Sequence, residues 1–182
     1  MDAADIVLDL HLLSLLLMAV GIVVFWVCFW RLRSARSLDE AVPSVRLIDR
    51  AGWAFPVSIL GLVATGAYLT FHSWTWSTAW IDASIAGLIV VSLQGPLVGG
   101  PRTEALKDAI QASGPGTLDA EARHLAHDRA LWIVLLANPG VVLGIVWNMT
   151  VKPGAAGAIA AIVVGYAVGA AAALAAGRTT SG

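Results

Sequence analysis

Hydrophobic and polar positions alternate along this chain in long blocks. Five uncharged, strongly apolar runs occupy 10–30, 51–71, 83–99, 130–151 and 154–177, separated by short polar segments. A hydrocarbon core of ~30 Å takes about 20 helical residues to cross, and four runs have that length as they stand. The third reaches it from Trp80, giving a span over 80–100. The pattern predicts an all-α, polytopic membrane helix bundle with five transmembrane helices, forming one domain over 1–182 with a loop over 101–129.

Within the runs, the small and polar positions mark faces. His11, Ser14, Met18, Gly21, Phe25 and Cys28 recur at spacings of three and four, which puts them on one side of the first helix. Leu12, Leu16, Val23 and Val27 form the opposite side, suited to lipid. Span two carries a matching stripe of Ser58, Gly61, Thr65, Tyr68 and His72. In span five, Gly157, Ala161, Gly165, Gly169 and Ala173 form a ridge of small residues. Such ridges let helix backbones approach closely, because association in lipid depends on packing. Span five is therefore expected to pack on a four-helix core or against a partner subunit.

Charge then orients the bundle. Of eleven Lys and Arg residues, ten fall on one side if the crossings alternate, and Lys152 stands alone on the other. Short loops rich in Lys and Arg stay inside, so the expected topology is N-out and C-in. Trp26, Trp30, Trp53 and Trp132 lie near the inner ends of their spans, and Trp74, Trp76, Trp80 and Trp147 near the outer ends. Indoles settle at headgroup depth, which agrees with that topology. The composition, 58% hydrophobic and 13% charged, leaves little room for a soluble domain. The acidic N-terminal flank and the Trp30-Arg31-Leu32-Arg33 end of the first run read as an anchor rather than a cleaved signal. Cys28 alone makes neither a disulfide within the chain nor a thiol pair.

The links are predicted as follows. Pro43 breaks the inner loop 31–50. The short aromatic link 71–77 makes spans two and three antiparallel neighbours. Residues 103–112 read as an amphipathic helix on the membrane surface, ended by Gly114-Pro115-Gly116. Thr117 then caps a helix running through Arg129 into span four, where Asn138-Pro139 introduces a kink.

Few residues could carry chemistry. His11 and His72 are both expected at the outer side, where facing imidazoles could bind haem iron or another metal. The alternative is that His11 hydrogen-bonds a neighbouring helix and His72 rests among headgroups. Arg50 and Arg129 could hold phospholipid headgroups or porphyrin propionates. Glu121-Ala122-Arg123-His124 has the spacing of a di-iron helix but occurs once, so it reads as solvated surface. Gln94 and Asn138 are expected to hydrogen-bond across helices, and Asp82 to pair with Lys152. No phosphate loop, nucleophile elbow or zinc-protease motif occurs, and no catalytic residue is assigned.

Four segments together resemble the HemJ-like superfamily of membrane-bound, haem-associated protoporphyrinogen oxidases, and most closely an uncharacterised branch of predicted bacterial integral membrane proteins within it. They are Leu10-His11-Leu12-Leu13, Arg46-Leu47-Ile48-Asp49-Arg50 with Pro56 and Gly61, Thr78-Ala79-Trp80-Ile81, and Arg129 through Asn138-Pro139 to Lys152-Pro153. The resemblance covers about residues 8–153 and leaves span five outside. It implies a functional role for His11, haem b as the cofactor, and the bacterial inner (plasma) membrane as the location. The Lys that such oxidases place after the third segment's Trp is absent, and so is the Glu of their Asn-Glu-x-Pro. Two functions follow. One is a non-enzymatic accessory subunit packed against other membrane protein subunits, or a homo-oligomer, in the lipid bilayer. The other is a haem b protein with His11 as axial ligand. Nothing points to nucleic acid.

Overall fold

The computed structural model describes residues 2–114 and 116–178. Pro115, part of the expected helix stop, lies outside the described residues, as do 1 and 179–182. The described residues are 87% helix, and no strand occurs among them. Among the described residues eight α-helices follow in order: α1 (Ala3–Ser34), α2 (Leu38–Ala51), α3 (Ala54–Ser73), α4 (Ala79–Gln94), α5 (Gly100–Ala112), α6 (Ala120–Ala126), α7 (Arg129–Val151) and α8 (Ala155–Arg178). A π-helical turn, Gly95–Gly99, joins α4 to α5 without a break. Five helical stretches among the described residues are long and apolar enough to cross a membrane.

Helix ends follow local chemistry. Asp2 accepts from the Ala4 amide while Asp5 accepts from that of Asp2, a capping box that starts α1 well before the apolar run. Asp128 caps α7 by accepting from the Leu131 amide. At its far end Lys152 adopts φ 52°, and Pro153 prevents continuation.

Two packed groups make the bundle. In the first, α1 and α3 run antiparallel, with Gly61 against Ser14 so closely that a Cβ there would displace the Ser14 side chain. The expected stripes meet here: His11, Met18, Gly21 and Cys28 are buried, whereas Leu12, Leu16, Val23 and Val27 are exposed. In the second, α7 and α8 pack over their whole length, and α4 lies across both. The ridge on α8 is consumed inside the chain. Gly165 faces the Gly140 backbone, Gly169 faces Leu136 and Ala137, and Ala161 faces Gly144, with no space for a Cβ on any of these glycines. Gly157 meets Pro153 of its own turn.

At the end of the bundle that the charge pattern assigns to the inner side, a dense core joins Phe29 and Leu32 of α1, Val45 and Ile48 of α2, Leu106 and Ile110 of α5, and Trp132 of α7. This changes several expectations. The segment 103–112 is no surface helix; it continues span three, and its apolar side is buried against α2 and α6. Pro43 does not break the inner loop but sits inside α2, near its start. Thr117 caps nothing. It bridges to Ser37, with the Leu118 amide donating to the Arg36 carbonyl. A short α6 and a break at His127 then replace the single long helix. Trp132 is not a headgroup anchor either: it is 2% exposed, and its Nε1–H donates to the Ala126 carbonyl at 2.8 Å.

Spans two and three are antiparallel but not neighbours, since α3 and α4 make almost no backbone contact. The gap between them shapes the site.

Candidate functional site: an inner-half cavity

A cavity of about 600 Å³ occupies the inner half of the bundle, between the two packed groups. Met18, Ile22, Phe25 and Phe29 of α1 form one wall, and Phe55, Pro56 and Ile59 of α3 the next. The opposite side comes from Val91, Ser92 and the π-helical turn, with Leu135, Asn138 and Pro139 of α7. Pro56 and Pro96 on its rim are exposed, so it opens sideways towards lipid where α3 and α4 part.

Backbone regularity fails on two of these walls. Pro96, in the π-helical turn, has no N–H for the Ser92 carbonyl, and Pro139 has none for the Leu135 carbonyl. Irregular backbone at membrane depth persists where it lines a cavity, and π-bulges recur at functional sites. Among the described residues, the side-chain oxygens of Ser44, Gln94, Asn138 and Asn148 are buried without a partner. Of the four, Asn138 lies on the cavity wall. Gln94 does bond across helices as expected, donating to the Tyr166 hydroxyl at 3.0 Å. Asn138 Oδ1 instead is buried without a partner beside the cavity rather than opening onto it, which is costly in an apolar surrounding.

The inner mouth is charged. Lys107 Nζ lies 2.5 Å from Asp49 Oδ1 and 3.0 Å from Glu104 Oε1, which ties α5 to α2. The Lys107 side chain is 13% exposed, against 49% and 65% for its partners.

The sequence-derived candidates lie elsewhere. His11 Nδ1 is 2.8 Å from Thr65 Oγ1. The Thr65 hydroxyl donates to the Gly61 carbonyl at 2.6 Å, so its oxygen accepts from His11. The proton is therefore on Nδ1, and Nε2 carries the lone pair. His72 is not opposite. It stacks on Tyr68 at 5.4 Å, six residues beyond Gly66, about 9 Å farther along α3 at about 1.5 Å per residue. The two imidazoles cannot share one iron in this arrangement. Arg50 and Arg129 are exposed and do not line the cavity. Glu121, Arg123 and His124 are solvated, and no cluster of three or more metal-ligating side chains occurs among the described residues. Lys152 lies over the Trp74 ring at 4.7 Å, and among the described residues no ion pair joins it to Asp82.

Reasoning from sequence missed the cavity itself. Its signal was present: Gly95-Pro96 and Asn138-Pro139 interrupt two spans at similar depth, a pairing that marks ligand sites in membrane helices.

Fold and site together define a five-span, all-helical integral membrane protein with a lipid-side cavity. The family described as predicted integral membrane protein (DUF2269) matches residues 5–153, and the chain belongs to it. That match covers the first four spans and leaves α8 outside. No curated protein and no solved structure matches the chain.

Proposed function

We propose that the chain is a non-enzymatic protein of the bacterial inner membrane that holds an apolar ligand, taken from the bilayer, in its inner-half cavity. The carrying observation is the coincidence of the two proline-interrupted walls with the lateral opening between Pro56 and Pro96. An ordinary ligand pocket measures about 300–1,000 Å³, and this one lies within that range. Gly95 supplies the test, because it lines the cavity and an added Cβ there meets nothing within 4 Å. Native mass spectrometry of protein released from nanodiscs is expected to show a bound apolar mass in the wild type. Gly95→Leu is expected to lose it while remaining folded. Equal occupancy in both proteins would refute the assignment of the site.

An accessory role beside a larger complex, or a homo-oligomer, needs a surface other than the glycine ridge. Gly165 and Gly169 are used within the chain, so α8 offers a partner only its Ile159, Val163 and Val168 side. Co-purification of a partner that is lost when Val163 and Val168 are changed to Ala would support that role.

Haem b on His11 is the second reading. In its favour, a hydrogen bond on Nδ1 leaves Nε2 free, the usual arrangement of a ligating imidazole. Space opposes it. A Cβ on Gly66 would lie 3.4 Å from His11 Cε1, and the described cavity does not reach His11. The Lys and Glu that the porphyrin oxidases have alongside such a His are missing from the matching positions of this sequence. A Soret band lost in His11→Ala would establish the haem, and a colourless folded protein would exclude it.

A further inference from the structure

We propose that the ligand of the cavity is a neutral apolar molecule whose polar group is a carbonyl, held by donation from Ser92 on one wall and Asn138 on the other; this rests on the cavity reading above. The unpartnered polar atoms that reach the cavity are Ser92 Oγ and Asn138 Nδ2, and both carry protons. Helical hydroxyls in this chain commonly return theirs to the carbonyl one turn back, as Ser84 does to Trp80 and Thr103 to Gly99. Ser92 makes no such bond among the described residues, so its proton is left to the cavity. On Asn138 the oxygen is buried in the wall, and the amide nitrogen is the atom that opens inward. The two donors stand at one depth on facing helices. Gly87 packs on Val141 and Gly99 on Val134, and that register sets Ser92 of α4 across from Asn138 of α7.

Counting protons then selects the group. A carbonyl oxygen has two lone pairs and no proton, so it accepts from both donors and leaves nothing over. A hydroxyl does worse. Whichever of it and Ser92 donates to the other, one O–H proton is left without an acceptor in an apolar surrounding. A plain hydrocarbon meets neither donor. An anion finds no free cation, because Lys107 is the one Lys or Arg on the wall and Asp49 and Glu104 already engage it. The rest of the wall is mainly apolar, so the body of the ligand is hydrocarbon, and it enters from lipid where α3 and α4 part. Prenylated quinones and fatty-acyl esters are the two kinds of bilayer molecule with this chemistry.

The experiment compares four probes of equal chain length on the full-length protein in nanodiscs, read as relative occupancy by native mass spectrometry. They are methyl pentadecyl ketone, the secondary alcohol obtained by reducing it, heptadecane and heptadecanoate. The ketone is expected first, about fivefold over the alcohol for one unmatched donor and further ahead of heptadecane, with heptadecanoate last. Ser92→Ala removes the hydroxyl and keeps a good helix former, and is expected to lower the ketone-to-heptadecane ratio about fivefold. Equal binding of ketone and alcohol, or a ratio unchanged by Ser92→Ala, would overturn the carbonyl assignment and leave the cavity in place. Preference for heptadecanoate would overturn it in favour of an anionic lipid. Binding of none of the four would overturn the cavity reading itself. Decylubiquinone and methyl oleate, each competed against the bound ketone, separate the two sources. The one that displaces it is the class carried, and displacement by neither would overturn a bilayer carbonyl as the ligand.

Discussion

Replacing Gly165 by Ala tests how α8 is held. The added Cβ would fall against Gly140, whose carbonyl carbon would lie 2.7 Å away, and the obstacle is backbone rather than a flexible side chain. Carbon atoms pack at about 3.5–4.0 Å, so the two helices must part by about 1 Å. A gap of that size forfeits a quarter to a half of each contact along the seam. The loss reaches Gly144 on Ala161, Gly169 on Leu136, and the Asn148 amide that donates to the Ala158 carbonyl at 3.2 Å. Overpacking of this kind costs about 1–3 kcal/mol. The same change improves helix propensity by up to about 1 kcal/mol, so the sign of the outcome discriminates. Unfolding in mixed micelles of mild detergent and dodecyl sulfate, followed by circular dichroism, is expected to show a net loss. Val164→Ala, on the exposed side of α8, is expected to stay within about 0.5 kcal/mol of wild type. A stabilised Gly165→Ala would show that the seam is not closed and that the ridge is free for another chain.

Other outcomes follow from the inner end and the mouth. Trp132→Phe removes the donor to the Ala126 carbonyl and replaces one of the two rings beneath Arg33 by a smaller one, and is expected to lower stability by about 1–3 kcal/mol in the same assay. Lys107→Met removes ion pairs whose carboxylates are exposed, so its stability cost is at most about 1 kcal/mol. Its larger effect is expected on access. In a Cys28→Ser background, Ser92→Cys should react several-fold faster with a water-soluble maleimide once Lys107 is Met, and an unchanged rate would show that the pairs do not close the mouth. For orientation, Lys152→Cys should react with impermeant maleimide on intact cells, whereas Arg46→Cys should need permeabilised ones; the reverse pattern would invert the topology.

Much of the membrane part is legible in the sequence because lipid imposes simple rules. Runs of about 20 apolar residues give the spans, and three- and four-residue spacing gives the buried side of α1, from His11 to Cys28. The small residues of α8 announce a close seam, although not which helix fills it. What was not legible depends on tertiary competition. The segment 103–112 has a surface-helix pattern, yet Leu106 and Ile110 find apolar partners in α2 and α6 instead of lipid. Trp132 has an anchor's position but takes a buried carbonyl, because the break at His127 brings the Ala126 oxygen to its ring. The short link after α3 suggested adjacent helices, but α4 gains more by packing its Gly87 against Val141 and Ile162. That choice leaves α3 and α4 apart and creates the cavity. His11 illustrates the same limit from the other side: its depth and burial follow from the sequence, but its partner, Thr65, follows from helix register.

The most direct test of the central claim is an experimental density map of the wild-type protein in lipid nanodiscs. The expected result is elongated density between Pro56 and Pro96, ending beside Asn138, with α3 and α4 held apart around it. Helices α3 and α4 packed together, with no space and no density between them, would contradict the account.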